Sequence, residues 1–137
     1  MDNIRALQGQ TDLAVAIETF RSSSRVIRTE EIMGCKLPMV LDTSHLFQQH
    51  TLDVIRQYSH GIVAVHLSEN RMDPNFGKPS NHMPVEEFGI EVLEALRDAG
   101  WEGNITLEYL QHYHDRLMPD RERLESMFGG QGRAPHP

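Results

Sequence analysis

The stretch Ile62-Val63-Ala64-Val65-His66 decides the fold of this chain, because four apolar residues in a row end at a histidine. A run with no alternation of apolar and polar residues is typical of a strand in a parallel sheet that is covered on both faces. Similar runs recur at Leu13 to Ile17, Pro38 to Leu41 and Ile105 to Leu107. The sequence therefore predicts four buried parallel strands with helices between them.

Helical patterns fill the segments between these runs. Residues 85–99 place apolar side chains on one helical face, after Pro84 and before Gly100, and predict the clearest helix. Three further helices are predicted at Thr29 to Cys35, Thr51 to Tyr58 and Leu117 to Met127. Residues 68–84 predict a long loop, and loops of that length inside a compact domain are often functional. The alternating order of strands and helices favours an α/β fold with a parallel sheet or part of a barrel.

Composition limits the classes of function. Among 137 residues, 20 acidic side chains against 13 basic ones give a net charge of -7, which argues against nonspecific binding to nucleic acid or to an anionic membrane. No apolar run approaches the length of about 20 residues that spans a bilayer. Cys35 is the single cysteine, and residues 1–20 lack a signal-peptide pattern, so we expect a reducing, cytoplasmic location. We expect residues 1–128 to form one domain and residues 129–137 to be a disordered tail.

Each apolar run is followed by, or ends next to, a side chain that can bind a metal ion. These side chains are Glu18, Asp42, His66 and Glu108. Because the carboxyl ends of parallel strands share one rim, we expect the four to meet there. Three carboxylates and one imidazole make a mostly oxygen site, which favours Mn, Mg or Co over Zn. Strand ends are often polar simply because the chain leaves the core, so the same pattern has a purely structural interpretation.

Three other residues lie near these strand ends. His45 follows Asp42 by three residues and can turn back over the same rim. His82, at the end of the long loop, is either an additional metal ligand or a solvated loop histidine. Arg71 can bind a hydroxyl or phosphate of a substrate, or it can form an ion pair with Glu69 or Asp73.

Three motifs together resemble the xylose isomerase-like TIM barrels, and within them the sugar phosphate isomerases and epimerases. The motifs are Leu41-Asp42-Thr43-Ser44-His45, Val65-His66-Leu67-Ser68-Glu69-Asn70-Arg71 and Gly103-Asn104-Ile105-Thr106-Leu107-Glu108. The resemblance runs from about Leu13 to Leu110 and corresponds to strands five to eight of that barrel. It implies a half barrel of four parallel strands, that is, the C-terminal half of a TIM barrel. We therefore expect either association into a homo-oligomer or pairing with a missing N-terminal half barrel, since open sheet edges are prone to associate.

The resemblance also implies a function. In the ketose epimerase branch, one divalent metal is held by the residues matching Glu18, Asp42, His66 and Glu108, and the two glutamates are the acid and base that act on a sugar. In that branch the residues matching His45 and Arg71 contact the substrate. The apurinic-site endonuclease branch instead binds several zinc ions and hydrolyses phosphodiesters, but Ser80 stands where its Asp-x-His motif has aspartate, with His82 matching the histidine. A noncatalytic half-barrel remnant is a third interpretation.

Overall fold

The structure is a computed structural model that describes residue 6, residues 15–19 and residues 28–129. The strands of the described ranges are β1 (Ile17–Glu18), β2 (Met39–Asp42), β3 (Ile62–Leu67), β4 (Glu69–Asp73), β5 (Lys78–Met83) and β6 (Asn104–Leu107). The helices of residues 28–129 are α1 (Thr29–Gly34), α2 (Gln48–Tyr58), α3 (Glu87–Asp98) and α4 (Leu117–Phe128), with short 3-10 segments at Ser59–Gly61 and Gln111–Arg116. The chain is an α/β protein, as the sequence predicts.

A four-stranded parallel sheet organises the fold, in the order β1-β2-β3-β6. All three neighbouring pairs are parallel, which confirms the predicted topology. The prediction that all four strands are buried was wrong for β6, whose residues Asn104, Ile105 and Thr106 are exposed because this strand lies at the edge of the described sheet. The register pairs Glu18 with Val40 and Asp42 with His66. Because paired residues of a parallel sheet point to the same side, the side chains of Asp42 and His66 lie on one face.

The core lies on the other face of this sheet. Met39, Leu41, Val65 and Leu67 alternate with the residues of the ligand-bearing face and are fully buried. They share one apolar cluster with helical residues such as Ile32 of α1, Ile55 of α2 and Val92 of α3. The helices therefore cover one face of the sheet and leave the polar strand ends accessible from the other.

Residues 68–84 are not a loop, and that prediction was wrong. They contain an antiparallel hairpin of β4 and β5, which pairs Glu69 with Met83 and Asp73 with Lys78. The carbonyl of Asp73 accepts hydrogen bonds from the N–H groups of Phe76 and Gly77, at 3.2 and 2.8 Å, and so closes the turn. Gly77 has a φ of 59°, a conformation that glycine adopts without steric penalty.

The predicted helices are all present, with shifted ends. Helix α2 begins at Gln48, three residues before the predicted start, and α3 is shorter than predicted at both ends. Within the described ranges, no helix is both long enough and apolar enough to cross a membrane. Residues 13 and 14 of the first predicted strand, and residues 130–137 of the predicted tail, lie outside the described residues.

Candidate metal centre

The four predicted ligands converge at the carboxyl ends of the parallel strands. Glu18 and Asp42 are the last residues of β1 and β2, and His66 is the last but one of β3. Glu108 directly follows β6. Each of the four offers a carboxylate oxygen or ring nitrogen, and these atoms all lie within 4.8 Å of one another. The predicted convergence is confirmed.

His66 lies between the two glutamates. Its Nδ1 is 3.1 Å from Oε1 of Glu18 and 3.1 Å from Oε2 of Glu108, so strands on both sides of β3 contribute to the cluster. The side chains of Glu18, His66 and Glu108 are 32%, 30% and 46% exposed. A ligand can therefore reach these three groups from solvent, while the strands fix their backbones.

Asp42 is the buried member of the cluster. Its Oδ1 accepts the backbone N–H of Ser44 at 2.8 Å. Its Oδ2 is buried and has no hydrogen-bond partner in the described part of the chain. Nδ1 of His45 lies 3.3 Å from this oxygen, but it makes its hydrogen bond to the carbonyl of Thr19 at 2.8 Å. A buried carboxylate oxygen without a donor is costly, and a bound cation is one way to satisfy it.

The geometry fits a divalent cation. Bonds to oxygen are about 2.0 to 2.1 Å long for Mg and about 2.3 to 2.6 Å for Ca, so two ligand atoms of one ion lie at most about 4.2 Å apart around Mg and about 5.2 Å apart around Ca. The four ligand atoms lie within 4.8 Å of one another, and rotamer changes of the partly exposed Glu18 and Glu108 side chains would bring them to the shorter span. Three carboxylates also concentrate negative charge that a cation would neutralise, and this donor set suits a hard ion.

A second group of ligand-type side chains shares Asp42. Asp42, His45 and His82 each offer an atom within 4.8 Å of the others. His82 reaches this position from the end of β5 with a φ of 54°, a left-handed conformation that is uncommon outside glycine. Its ring nitrogens lie 3.3 Å from the hydroxyl oxygen of Ser44, and its Nδ1 lies 3.4 Å from that of Ser68. The sequence allowed two interpretations of His82, as an additional metal ligand or as a solvated loop histidine. The structure places it at the rim, beside Asp42 and His45.

Arg71 lies on the hairpin in an ion-pair network. Its guanidinium is 2.8 Å from Oε1 of Glu86 and 3.8 Å from Oε2 of Glu69. Glu69 is buried and its Oε1 accepts the backbone N–H groups of Glu86 and Gly89, at 2.6 and 2.8 Å, at the start of α3. Of the two predicted ion pairs, the structure brings Arg71 near Glu69 and adds Glu86.

A hydrogen-bonded network anchors the segment after Glu108. The hydroxyl of Tyr109 accepts the N–H of Val85 at 3.1 Å and donates to buried Asp120 at 3.0 Å. Burial, together with the neighbouring Asp120 carboxylate, raises the pKa of Tyr109 well above its ordinary value, so the hydroxyl keeps its proton. This network ties the residue next to Glu108 to α4 and to the start of α3.

A second network ties the hairpin to the same segment through Asp73. This buried carboxylate accepts the hydroxyl of Tyr113 at 2.8 Å and the N–H of Asn75 at 2.9 Å, and Nε2 of His112 lies 3.1 Å away. Burial opposes ionisation of Asp73, but the hydrogen bonds from Tyr113, Asn75 and His112 outweigh it and lower its pKa. His112 is therefore both exposed to solvent and in contact with a buried carboxylate.

Several supporting residues were not predicted from the sequence. The side-chain amide of Asn70 donates to the carbonyl of Ser44, joining the hairpin to the loop that carries His45. Thr19 and Thr43 bond to neighbouring strands directly after the ligands Glu18 and Asp42. The only signal in the sequence was a threonine repeated after two candidate ligands, which by itself specifies no partner.

Fold and site together define an α/β protein with a candidate metal centre at the carboxyl edge of a parallel sheet. Comparison of the chain with known protein families, with curated proteins and with solved structures gives no match.

Proposed function

We propose that this chain is a divalent-metal-dependent isomerase or epimerase of sugars or sugar phosphates, built as a half barrel of the xylose isomerase-like kind. The observation that carries the proposal is the convergence of Glu18, Asp42, His66 and Glu108 within 4.8 Å, with one oxygen of Asp42 buried and without a hydrogen bond from any described residue. Mn, Mg or Co is the expected ion, because three of the four ligands are carboxylates.

The bound cation would polarise a substrate carbonyl and offset the negative charge of an enediolate. The chain itself supplies the proton transfers. Glu18 and Glu108 extend from β1 and β6, the two outermost strands of the four-stranded sheet, and approach His66 from both sides. In this proposal, one carboxylate removes the proton next to the carbonyl and the other returns it, which inverts or relocates the stereocentre.

Other residues would position the sugar. Since a main-chain carbonyl only accepts, the 2.8 Å contact between Nδ1 of His45 and Thr19 requires that Nδ1 carry a proton. This contact orients the imidazole at the rim, where it would contact substrate hydroxyls. Arg71 is half-buried and lies between the carboxylates of Glu69 and Glu86, so a hydroxyl or phosphate that it bound would compete with these two ion pairs for the guanidinium.

Proton exchange tests this proposal even though the sugar is unidentified. The Mn-loaded protein is incubated in D2O with a panel of ketoses, aldoses and their phosphates, and deuterium at the carbon next to the carbonyl is followed by NMR. Exchange is expected with at least one sugar. It should fall by about 100-fold or more in metal-loaded Glu18→Gln or Glu108→Gln, and stay unchanged in Glu91→Gln, whose side chain is exposed on α3. Exchange with none of the sugars, or full exchange in both glutamate variants, contradicts the proposal.

The second group of ligands favours one alternative, an apurinic-site endonuclease-like zinc phosphodiesterase. Asp42, His45 and His82 lie within 4.8 Å of one another and would place a second cation beside the first, with Asp42 shared. Adjacent metal ions can activate water and stabilise a phosphodiester leaving group. More than one zinc ion per chain, with cleavage of a duplex containing an abasic site, would replace the isomerase proposal. A folded chain that binds no metal would instead indicate a noncatalytic module.

We also propose that the half barrel is completed by association, with a second copy of the chain or with a separate N-terminal half. Strand β6 is at the edge of the sheet that the described residues form, and Asn104, Ile105 and Thr106 are exposed. Val63 on the neighbouring strand points to the same side as Ile105, and these two apolar side chains are 48% and 42% exposed. An open strand edge with adjacent apolar side chains favours pairing with another strand.

A further inference from the structure

Two buried threonines make the same unusual set of hydrogen bonds to neighbouring strands. The N–H of Thr19 donates to the carbonyl of Val40 at 3.0 Å, which continues the ladder of β1 and β2 by one residue. Its hydroxyl then accepts the N–H of Asp42 at 2.9 Å and donates to the carbonyl of Asp42 at 3.3 Å. The hydroxyl thus does what a backbone N–H and carbonyl would do at the next position of the ladder.

Thr43 repeats this arrangement one strand further along. Its N–H donates to the carbonyl of His66 at 3.0 Å. Its hydroxyl accepts the N–H of Ser68 at 3.0 Å and donates to the carbonyl of Ser68 at 2.6 Å. In both cases the hydroxyl bonds to the residue two positions after the one that accepts the threonine N–H. Thr19 and Thr43 are 0% and 1% exposed, so these bonds are shielded from water.

Both threonines directly follow a ligand of the candidate metal centre. Thr19 follows Glu18, and Thr43 follows Asp42. At a strand end the backbone must leave the sheet, and a ligand placed there would otherwise lose the support of the ladder on its carboxyl side. A hydroxyl that bonds to both the N–H and the carbonyl of the next strand lets the chain turn away while it keeps the spacing between the strand ends.

We propose that Thr19 and Thr43 are positioning residues whose hydroxyl groups clamp the ends of β1, β2 and β3 and so hold Glu18 and Asp42 at ligand distance. This inference deepens the proposed function, on which its prediction for metal affinity rests. Asp42 is held from both sides, by the hydroxyl of Thr19 on its own backbone and by Thr43 as its next residue. Groups that orient metal ligands typically change metal affinity by roughly 10- to 100-fold when they are removed.

The test compares valine, which keeps the shape of threonine without its hydroxyl, with serine, which keeps the hydroxyl. Mn affinity is measured by calorimetry for Thr19→Val, Thr43→Val, Thr19→Ser and Thr43→Ser, at a temperature where each variant is folded. Thr51→Val is the matched control, because Thr51 in α2 is also fully buried and its hydroxyl donates to a backbone carbonyl, that of Phe47, directly before the helix. Both valine variants should bind Mn about 10- to 100-fold more weakly, the serine variants within about threefold of the wild type, and Thr51→Val like the wild type.

Wild-type Mn affinity in both valine variants would overturn the inference, and so would serine variants as weak as the valine ones. If one valine variant fails to fold, the variant at the other threonine is used instead. Amide hydrogen exchange of the metal-free protein then gives a second measurement, beginning with the wild type. In that measurement the amides of Asp42 and Ser68 should be protected, and Thr19→Val and Thr43→Val should lose protection at Asp42 and Ser68 respectively by about tenfold or more. Unprotected amides in the wild type overturn the inference. Hydrogen exchange needs no metal. A wild type that binds no Mn would therefore refute the proposed function, and the hydrogen-exchange result alone would then decide whether the hydroxyl groups of Thr19 and Thr43 clamp the strand ends.

Discussion

Replacing Asp42 with asparagine should make the metal-free protein more stable while it removes metal binding. Asp42 is 0% exposed, and the oxygen that faces the cluster has no hydrogen-bond donor among the described residues. Asparagine keeps the oxygen that accepts the N–H of Ser44 and replaces the other oxygen with an NH2 group, a donor that can face Glu18 or Glu108. The substitution therefore relieves a conflict that a bound cation would relieve in the wild type.

The expected gain follows from the geometry of the cluster. At the limiting separation of 4.8 Å between ligand atoms, two unit negative charges repel by about 1 kcal/mol in water and about 3.5 kcal/mol at an effective dielectric constant near 20. Glu18 and Glu108 are 32% and 46% exposed, so solvent screens part of this repulsion, and the bond from Ser44 weakens when its acceptor becomes neutral. We therefore expect a net gain of about 1 kcal/mol in the free energy of unfolding, or a Tm higher by about 4 °C.

Denaturation with and without Mn measures both effects in one series. At 100 times its dissociation constant, Mn should stabilise the wild type by about 2.7 kcal/mol and leave Asp42→Asn unchanged. Asp53→Asn is the control, since Asp53 is a half-exposed carboxylate on α2 that contacts Gln49 and Arg56, away from the cluster. A less stable metal-free Asp42→Asn, or an undiminished response of that variant to Mn, would refute the reasoning.

Three further substitutions test other parts of the structure. Tyr109→Phe should lower the free energy of unfolding by about 1 to 3 kcal/mol, measured by urea denaturation, because it leaves the N–H of Val85 and the carboxylate of Asp120 without their shared partner; an unchanged value would contradict the network. Asp73→Asn should lower the free energy of unfolding at neutral pH, and the difference in this free energy between variant and wild type should shrink as the pH falls below about 4. The reason is that a carboxylate whose pKa is lowered in the folded state contributes stability above its unfolded pKa and loses that contribution as the pH falls through the folded pKa. A difference that is independent of pH would show that ionised Asp73 does not stabilise the fold. Ile105→Lys should lower the apparent mass measured by light scattering if the edge of β6 mediates self-association, and it should leave the Mn affinity unchanged. A wild type that is monomeric at all concentrations would exclude self-association. Pairing with a separate half barrel would then be tested with that partner.

The parallel strands and their carboxyl ends could be predicted from the sequence because each depends on a short run of neighbouring residues. A run such as Ile62 to Val65 has few alternatives to a strand, although Val63 is 48% exposed, and the parallel topology then places Asp42 and His66 on one rim without further information. The hairpin at residues 69–83 was not predicted, because its two strands are mostly polar and contain Pro79. They therefore lack the apolar run that indicates a strand in this sequence. Its turn carries a readable signal in Pro74, Asn75 and Gly77, but only the pairing of the two strands shows that the flanking residues are extended. His82 and Arg71 lie on that hairpin, so their contacts could not be predicted without it, and the sequence allowed two interpretations of each residue.

Anomalous diffraction from crystals grown with Mn is the sharpest test of the metal centre. We expect a Mn peak bonded to a carboxylate oxygen of each of Glu18, Asp42 and Glu108 and to a ring nitrogen of His66, at distances of about 2.0 to 2.6 Å. The peak should vanish in crystals of Asp42→Asn grown under the same conditions. A well-ordered cluster with no Mn peak at saturating metal, or a peak bound by other residues, would contradict the assignment of these four side chains as metal ligands.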